Sequence, residues 1–229
     1  MKLYVEGIEI ELIRKNIKNM HLYVLRPDGR IRLTAPMRLS EKRIIDFVLS
    51  RVDWIRDQQA KILSEPHSAP ITYSNGDILT IFGNPYTLEV IESKKSSFSF
   101  LGGRCELYCK SDATPEQREK IVEKALREAL NLRINPLCDR WEYITGLKAS
   151  SYGIKKMKTR WGTCNTRTKK IWLSLELVEQ KEIYIEYVIM HELAHLRVPN
   201  HGKDFVAIMD QYMPRWRELR EELNKSSAP

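Results

Sequence analysis

The period of the apolar residues changes along the chain, and with it the element each stretch predicts. Ile8, Ile10 and Leu12 recur at every second position, as do Leu22 and Val24, and then Ile31 and Leu33 across the turn residues Pro27-Asp28-Gly29. Alternation of this kind turns one face of a strand toward a core, and the intervening turn predicts an antiparallel meander or hairpin. From Ser40, a predicted N-cap followed by Glu41, the period lengthens to that of a helix through Ile44, Ile45, Phe47, Val48, Val52, Trp54, Ile55 and Ile62. That helix should end near Ser64, ahead of Pro66. Pro66 to Gly76 has the composition of a loop. Period-two runs return at Ile78 to Ile81, Tyr86 to Val90 and Cys105 to Cys109, with a polar segment from Ser93 to Ser99 between the last two.

Thr114-Pro115-Glu116-Gln117 reads as a helix start, with a cap, Pro at the first helical position and an acid in the first turn. The pattern continues through Ile121, Val122, Ala125, Leu126, Ala129 and Leu130 until Pro136, which should kink or interrupt it. A domain cut near residue 112 follows, separating a strand-rich region with one long helix (1–112) from a second domain (113–229). In the latter, Ile154 to Arg160 and Ile171 to Leu175 flank the polar Asn165 to Lys169 and predict a hairpin. A helix from about Ile183 to Arg197, a loop at Pro199 to Gly202, and one or two helices from Asp204 to Asn224 parted near Pro214 complete the chain. No repeat at solenoid spacing is visible, and only the tail from Lys225 to Pro229 lacks an ordered pattern. The class is α+β.

Composition narrows the function classes. With 229 residues, 42% apolar and 30% charged, the chain can bury a core without disulfide staples, which excludes collagen-like, disordered and disulfide-scaffold classes. Cys105, Cys109, Cys138 and Cys164 form no CxxC pair and read as reduced, mostly buried thiols. The N-terminus carries Lys2, Glu6, Glu9, Glu11, Arg14 and Lys15 where a signal peptide would be apolar, and no uncharged run approaches the roughly 18 residues of a membrane span. The expected location is the cytoplasm, with no membrane partner. A formal net charge of +8 favours anionic partners.

The candidate chemistry lies in the last quarter, at His191-Glu192-Leu193-Ala194-His195 and His201. Residues four apart share a helix face, so His191 and His195 can present two imidazoles to one ion, and Glu192 can reach water held there without binding the metal itself. This is the HExxH arrangement of zinc hydrolases. The helix is apolar almost all round, and buried imidazoles and a buried carboxylate need partners.

Catalytic zinc usually takes three protein ligands. Were the helix continuous past His195, a residue six positions on would lie about 9 Å further along the axis and could not share the ion. Pro199, Asn200 and Gly202 let the chain turn back and make His201 the natural third ligand. Asp204, Asp210 and Glu218 are the competitors, and Cys164 could close the sphere. Val198 stands where a metzincin would carry Gly, so that subtype is not assigned.

Met157-Lys158-Thr159-Arg160-Trp161-Gly162-Thr163-Cys164, Ile171-Trp172-Leu173-Ser174, the stretch from Tyr187 to Leu196, and Asn200-His201-Gly202-Lys203-Asp204-Phe205 together resemble the YgjP-like family of predicted metal-dependent hydrolases. That family is related to the SprT-like and WLM metallopeptidases. The resemblance implies a zincin-like catalytic domain with a β-hairpin beside the HExxH helix, Zn2+ at His191, His195 and His201, and Glu192 as general base. Thr163 replaces the commoner Ser and Ser174 the commoner Asn, changes that bear on substrate contacts.

Arg160-Trp161-Gly162 should end a strand, with Gly162 permitting close approach of a backbone or substrate. Arg160 is a candidate catalytic residue that could hold an anion or a developing oxyanion, or else make a structural ion pair. In related metallopeptidases an edge strand beside the metal pairs with extended peptide. Lys155, Lys156, Lys158, Arg160, Arg167, Lys169 and Lys170 make the hairpin basic, which allows nucleic acid as a partner. The leading function is zinc metallopeptidase-like hydrolysis of a polypeptide. The alternatives are a nucleotide substrate, as in relatives described as UTP pyrophosphatases, and a nucleic-acid-associated zinc protein without catalysis. No GxxxxGK[ST] phosphate loop supports the nucleotide.

Overall fold

A computed structural model describes residues 1–25, 28–64, 71–157 and 159–225. Pro27 of the first turn, Pro66, Lys158 of the basic run and the tail beyond Lys225 lie outside the described residues. The chain parts into two compact units, Met1–Pro70 and Ile71–Pro229.

In the first unit, β1 (Lys2–Val5), β2 (Ile8–Lys15), β3 (His21–Leu25) and β4 (Arg30–Pro36) form a sheet of order β1-β2-β4-β3, followed by α1 (Glu41–Leu49) and α2 (Val52–Ser64). This is not a simple meander. β3 and β4 pair antiparallel, but β4 inserts beside β2 and runs parallel to it. That register sets Ile10 beside Ile31 and Leu12 beside Leu33, so the alternating apolar residues of both strands share one buried face. Ile44, Val48 and Ile55 from the helices close the same core. The single long helix expected here is two, because Ser50 ends α1 with its hydroxyl donating to the Phe47 carbonyl, 2.9 Å away. Ser40 occupies the N-cap position, yet its side chain makes no capping bond.

The second unit begins with β5 (Ile78–Ile81), β6 (Asn84–Glu92), β7 (Ser97–Leu101) and β8 (Arg104–Cys109), in the order β5-β6-β8-β7. This repeats the first sheet strand for strand, including the parallel central pair. Even the two-residue turns agree: Glu6-Gly7 has φ of 50° and 77°, and Phe82-Gly83 has 49° and 78°, the double positive φ of a type I′ hairpin. β7 falls partly in the segment read as polar. Phe98 and Phe100 alternate with serines there, and Phe100 packs on both Phe98 and Tyr86.

α3 (Pro115–Thr145) opens with a capping box between Thr114 and Gln117 and runs unbroken through Pro136. The carbonyl that loses its donor belongs to Leu132, which is 75% exposed, so water can satisfy it. Ile134, Leu137, Cys138 and Trp141 meanwhile bury the other face. α3 packs against β7 and β8, so a cut near residue 112 would divide elements that share one core; the compact units part at Pro70 instead.

β9 (Ser151–Lys155), β10 (Gly162–Asn165) and β11 (Lys170–Ser174) form a three-stranded sheet of order β10-β11-β9. Only β10 and β11 make a hairpin. The predicted strand from Ile154 to Arg160 is displaced to Ser151–Lys155 and lies parallel to β11 at the opposite edge. Gly153 permits this pairing, since a Cβ there would lie 2.5 Å from the Trp172 ring. A 3₁₀ turn (Leu175–Glu179) then leads to α4 (Glu182–His195), α5 (Lys203–Tyr212) and α6 (Trp216–Lys225). α4 buries Ile185, Val188, Ile189, Met190, Leu193 and Ala194, as expected of a helix apolar on nearly every side. Cys105, Cys109 and Cys138 are buried free thiols and Cys164 is half-buried. Among the described residues no helix is long and apolar enough to cross a membrane.

Candidate metal centre

α4 holds His191 and His195 one turn apart, and the chain beyond it reverses tightly. Arg197 and Val198 donate backbone N–H groups to Ala194, and the Asn200 side chain accepts from the Gly202 N–H at 3.1 Å. This brings His201 back over the helix end. Nε2 of His191 lies 3.2 Å from Nε2 of His195 and 3.1 Å from Nε2 of His201. Two N ligands at tetrahedral angles about zinc, with Zn–N near 2.0–2.1 Å, stand about 3.3 Å apart.

The donor set therefore fits a zinc ion. Nδ1 of His195 lies 3.1 Å from the Val198 carbonyl, a contact that places its proton on Nδ1 and leaves Nε2 a free lone pair. Burial and the neighbouring imidazoles push the His191 pKa down to about 3, so its ring is neutral; burial lowers that of His195 as well. Nδ1 of His191 is buried without a hydrogen-bond partner. Among the described residues this triad is the one His, Cys, Asp and Glu group whose ligand atoms cluster closely enough to hold a metal. The competing residues lie elsewhere in bonding terms: Asp210 accepts from Trp216 and Arg217, and Glu218 pairs with Arg215. Neither Asp204 nor Cys164 joins the cluster.

Phe205, on α5, has no counterpart in the chemical reading of the sequence. It is 1% exposed, and its ring centroid lies 4.7–5.0 Å from those of all three imidazoles, stacked on His195 and edge-on to the others. The signal was available: four residues beyond His201, in the first turn of an amphipathic helix, a large apolar side chain must face the core.

Glu192 is 5% exposed, and burial pushes its carboxyl up to about 8, opposed in part by the Arg160 charge. Gly162, at the start of edge strand β10, passes directly over it. The chain wraps around a cleft of about 590 Å3 whose walls are the segment from Thr159 to Cys164, α4 from Tyr187 to His195, Pro199 and His201, and Arg220 and Asn224 of α6. Arg160 is exposed on this wall. Thr163 also lines it, whereas Ser174 is fully buried away from it. Tyr187, Arg220 and Asn224 are cleft residues that the sequence reading did not single out.

The basic run is largely committed to structure. The Lys156 ammonium pairs with Glu119 at 2.7 Å and Glu123 at 2.8 Å, and those of Lys155 and Lys170 lie over the Trp172 ring. Of that run's described members, Arg160 alone lines the cleft.

Comparison with known families decides the affiliation: a model of the YgjP-like, metallopeptidase domain matches residues 18–226. The chain belongs to the YgjP-like metallopeptidase-domain family. Two solved structures are similar to part of this YgjP-like chain. One is the metallopeptidase zymogen abylysin of Pyrococcus abyssi, 20% identical with a TM-score of 0.39, the match covering 41% of this chain and 93% of that one. The other is the metallopeptidase zymogen jannalysin of Methanocaldococcus jannaschii, 24% identical with a TM-score of 0.37, covering 41% and 95%. No curated protein matches the YgjP-like chain.

Proposed function

We propose that the chain is a zinc-dependent peptidase in which His191, His195 and His201 hold the ion and Glu192 is the general base. The observation that carries this reading is the convergence of three Nε2 atoms beside a buried carboxylate on the floor of a single cleft. When bound, zinc acts as a Lewis acid that acidifies water and polarises a carbonyl. The raised Glu192 carboxyl belongs to the metal-free site; a dication held by the imidazoles would favour its ionised form, whose Oε atom takes the proton from the attacking water and delivers it to the leaving amine nitrogen. Imidazoles favour zinc over the harder cations that accompany nucleotides.

Two further roles follow from the walls. β10 is an edge strand along the cleft, so its free backbone groups can pair with an extended polypeptide, and the side-chain pockets then set specificity. The Arg160 guanidinium, exposed beside Glu192, can stabilise negative charge that develops on the scissile carbonyl oxygen. A polypeptide is favoured over a nucleotide because Lys155, Lys156 and Lys170 are already occupied by Trp172 and the glutamates of α3.

The test is metal analysis of the wild type beside His201→Ala, with turnover of an unfolded protein and of UTP by the wild type and Glu192→Gln. About one zinc per chain, weakened by His201→Ala, with proteolysis lost in Glu192→Gln, supports the peptidase. Zinc content indifferent to His201 removes the three-histidine site, and Glu192-dependent release of phosphate or pyrophosphate from UTP, without proteolysis, replaces the peptidase with a nucleotide hydrolase.

A further inference from the structure

The arginines around α6 divide by what they touch. Arg215 pairs with Glu218 at 2.8 Å and Arg217 with Asp210 at 2.5 Å. Arg220 makes no hydrogen bond or ion pair among the described residues, yet it lines the cleft beside the imidazoles. Asn224, one helical turn later on the same face, also borders the cleft. The two residues also line a separate hollow of about 430 Å3 with Trp216, Arg217 and Glu221.

An unpaired guanidinium facing a catalytic cleft has five donors in a planar fork and no internal acceptor to occupy them. That geometry matches a carboxylate through two parallel hydrogen bonds. A triphosphate would call for more cations than this wall supplies, and of the described residues of the basic run only Arg160 faces the cleft. We infer that Arg220, with the Asn224 amide beside it, docks a carboxylate of the substrate, so that the substrate class is peptides carrying a carboxylate near the scissile bond. The inference rests on the peptidase reading. The carboxylate can come from the peptide's C-terminus or from an Asp or Glu side chain.

The experiment uses one fluorescent peptide in three forms, with a free C-terminus and internal Glu, with an amidated C-terminus, and with Glu replaced by Gln. Binding is read by anisotropy on zinc-loaded Glu192→Gln protein, with and without Arg220→Ala or Arg220→Lys, and turnover is read on the same substitutions in the wild-type background. The form that lacks the recognised carboxylate should bind about 10–100-fold more weakly, the range of a hydrogen-bonded charge. Arg220→Ala should collapse that ratio toward one, and Arg220→Lys should keep part of it. In turnover the loss should appear in KM rather than kcat. Which of the two neutral forms loses affinity identifies the source of the carboxylate. Arg220 is exposed, so unchanged melting and zinc content exclude misfolding. Equal binding of all three forms, equal weakening of all three by Arg220→Ala, binding of UTP but of no peptide, or no binding of any peptide would each overturn the assignment. Discriminating binding without turnover overturns the peptidase reading and leaves the Arg220 site standing.

Discussion

Gly162 and Glu192 are in contact through the absence of a side chain: a Cβ on Gly162 would lie 2.7 Å from Oε1 of Glu192 and 2.8 Å from its Cγ. β10 therefore presses its backbone onto the carboxylate that is proposed as base. Gly162→Ala should leave the fold intact, because the clashing atoms belong to a side chain that can swing aside, but it should displace the carboxylate. A displacement near 1 Å costs about 100-fold in rate. Turnover measured beside zinc content checks this, with kcat falling and zinc unchanged; wild-type kcat in the alanine variant removes the positioning role.

Metal removal should be visible without any substrate. An ion that binds the folded chain alone stabilises it by about 2.7 kcal/mol at 100 times its dissociation constant. Thermal melts with and without a chelator should therefore differ in the wild type, and the difference should shrink in His201→Ala. The affinity lost in that variant should exceed the roughly 10–100-fold typical of changes outside the ligand sphere. Asp210→Asn and Glu218→Gln, whose carboxylates are engaged by arginines, should retain wild-type zinc affinity.

The clustering of the three histidines was legible because it rests on local rules. HExxH places two imidazoles on one helix face whatever surrounds it, and Pro199 with Gly202 marks the reversal that returns His201. The sheets were less legible. Alternation at Ile10, Leu12, Ile31 and Leu33 shows which face is buried but not whether two strands run parallel, since that depends on where β3 lies. Gly153 and Trp172 could not be paired from sequence either, because their contact exists only once β9 has crossed to the far edge of the sheet. Arg220 is the third kind of omission. Arg215 has Glu218 three residues on and could be paired from sequence, but Arg217 meets Asp210, and Arg220 the cleft, only once the chain has folded.

The Gly153 contact makes its own prediction. A methyl group there would meet Cζ3 of Trp172 at 2.5 Å and Cε3 at 2.6 Å, atoms of a rigid ring that Lys155 and Lys170 cover with their ammonium groups. Overpacking of this kind costs about 1–3 kcal/mol. Gly153→Ala should lower the urea midpoint without changing the dependence of stability on urea, and Gly153→Ala with Trp172→Leu should recover part of the loss. An unaltered midpoint in the single variant would show that β9 does not hold this register.

Lys156, the residue after β9, ties that strand to α3, and the linkage has a pH signature. Its ammonium holds the Glu123 carboxyl below the usual range, chiefly through their hydrogen bond. A carboxyl with a lowered folded-state pKa contributes stability that is present above its unfolded value, near 4, and is lost as pH falls through the folded value. Lys156→Met should therefore reduce stability at neutral pH more than in acid, once pH has fallen through the folded value and Glu123 is protonated in either protein. The ammonium is half exposed, so solvent limits the difference to less than about 1 kcal/mol. Denaturant unfolding of both proteins at the two pH values reads it directly; an equal offset at both would mean that the ion pair contributes nothing.

Phe205 tests whether the metal centre is held by packing or by its loop. The ring is enclosed by the three imidazoles and by the core of the second unit. Phe205→Ala should cost about 3–5 kcal/mol through the cavity it leaves, enough to unfold a domain of marginal stability, so Phe205→Leu is the informative variant. Leu keeps most of the apolar volume but cannot stack on His195. If packing orients the rings, Phe205→Leu should weaken zinc binding while the apo protein loses little stability. If the Val198 carbonyl and the Asn200 turn suffice, zinc affinity should stay at its wild-type value and Asn200→Ala, which leaves the Gly202 N–H without its acceptor, should weaken it instead. Competition titrations against a chromophoric chelator on the two variants separate these outcomes. The close approach of Phe205 to all three imidazoles favours the first.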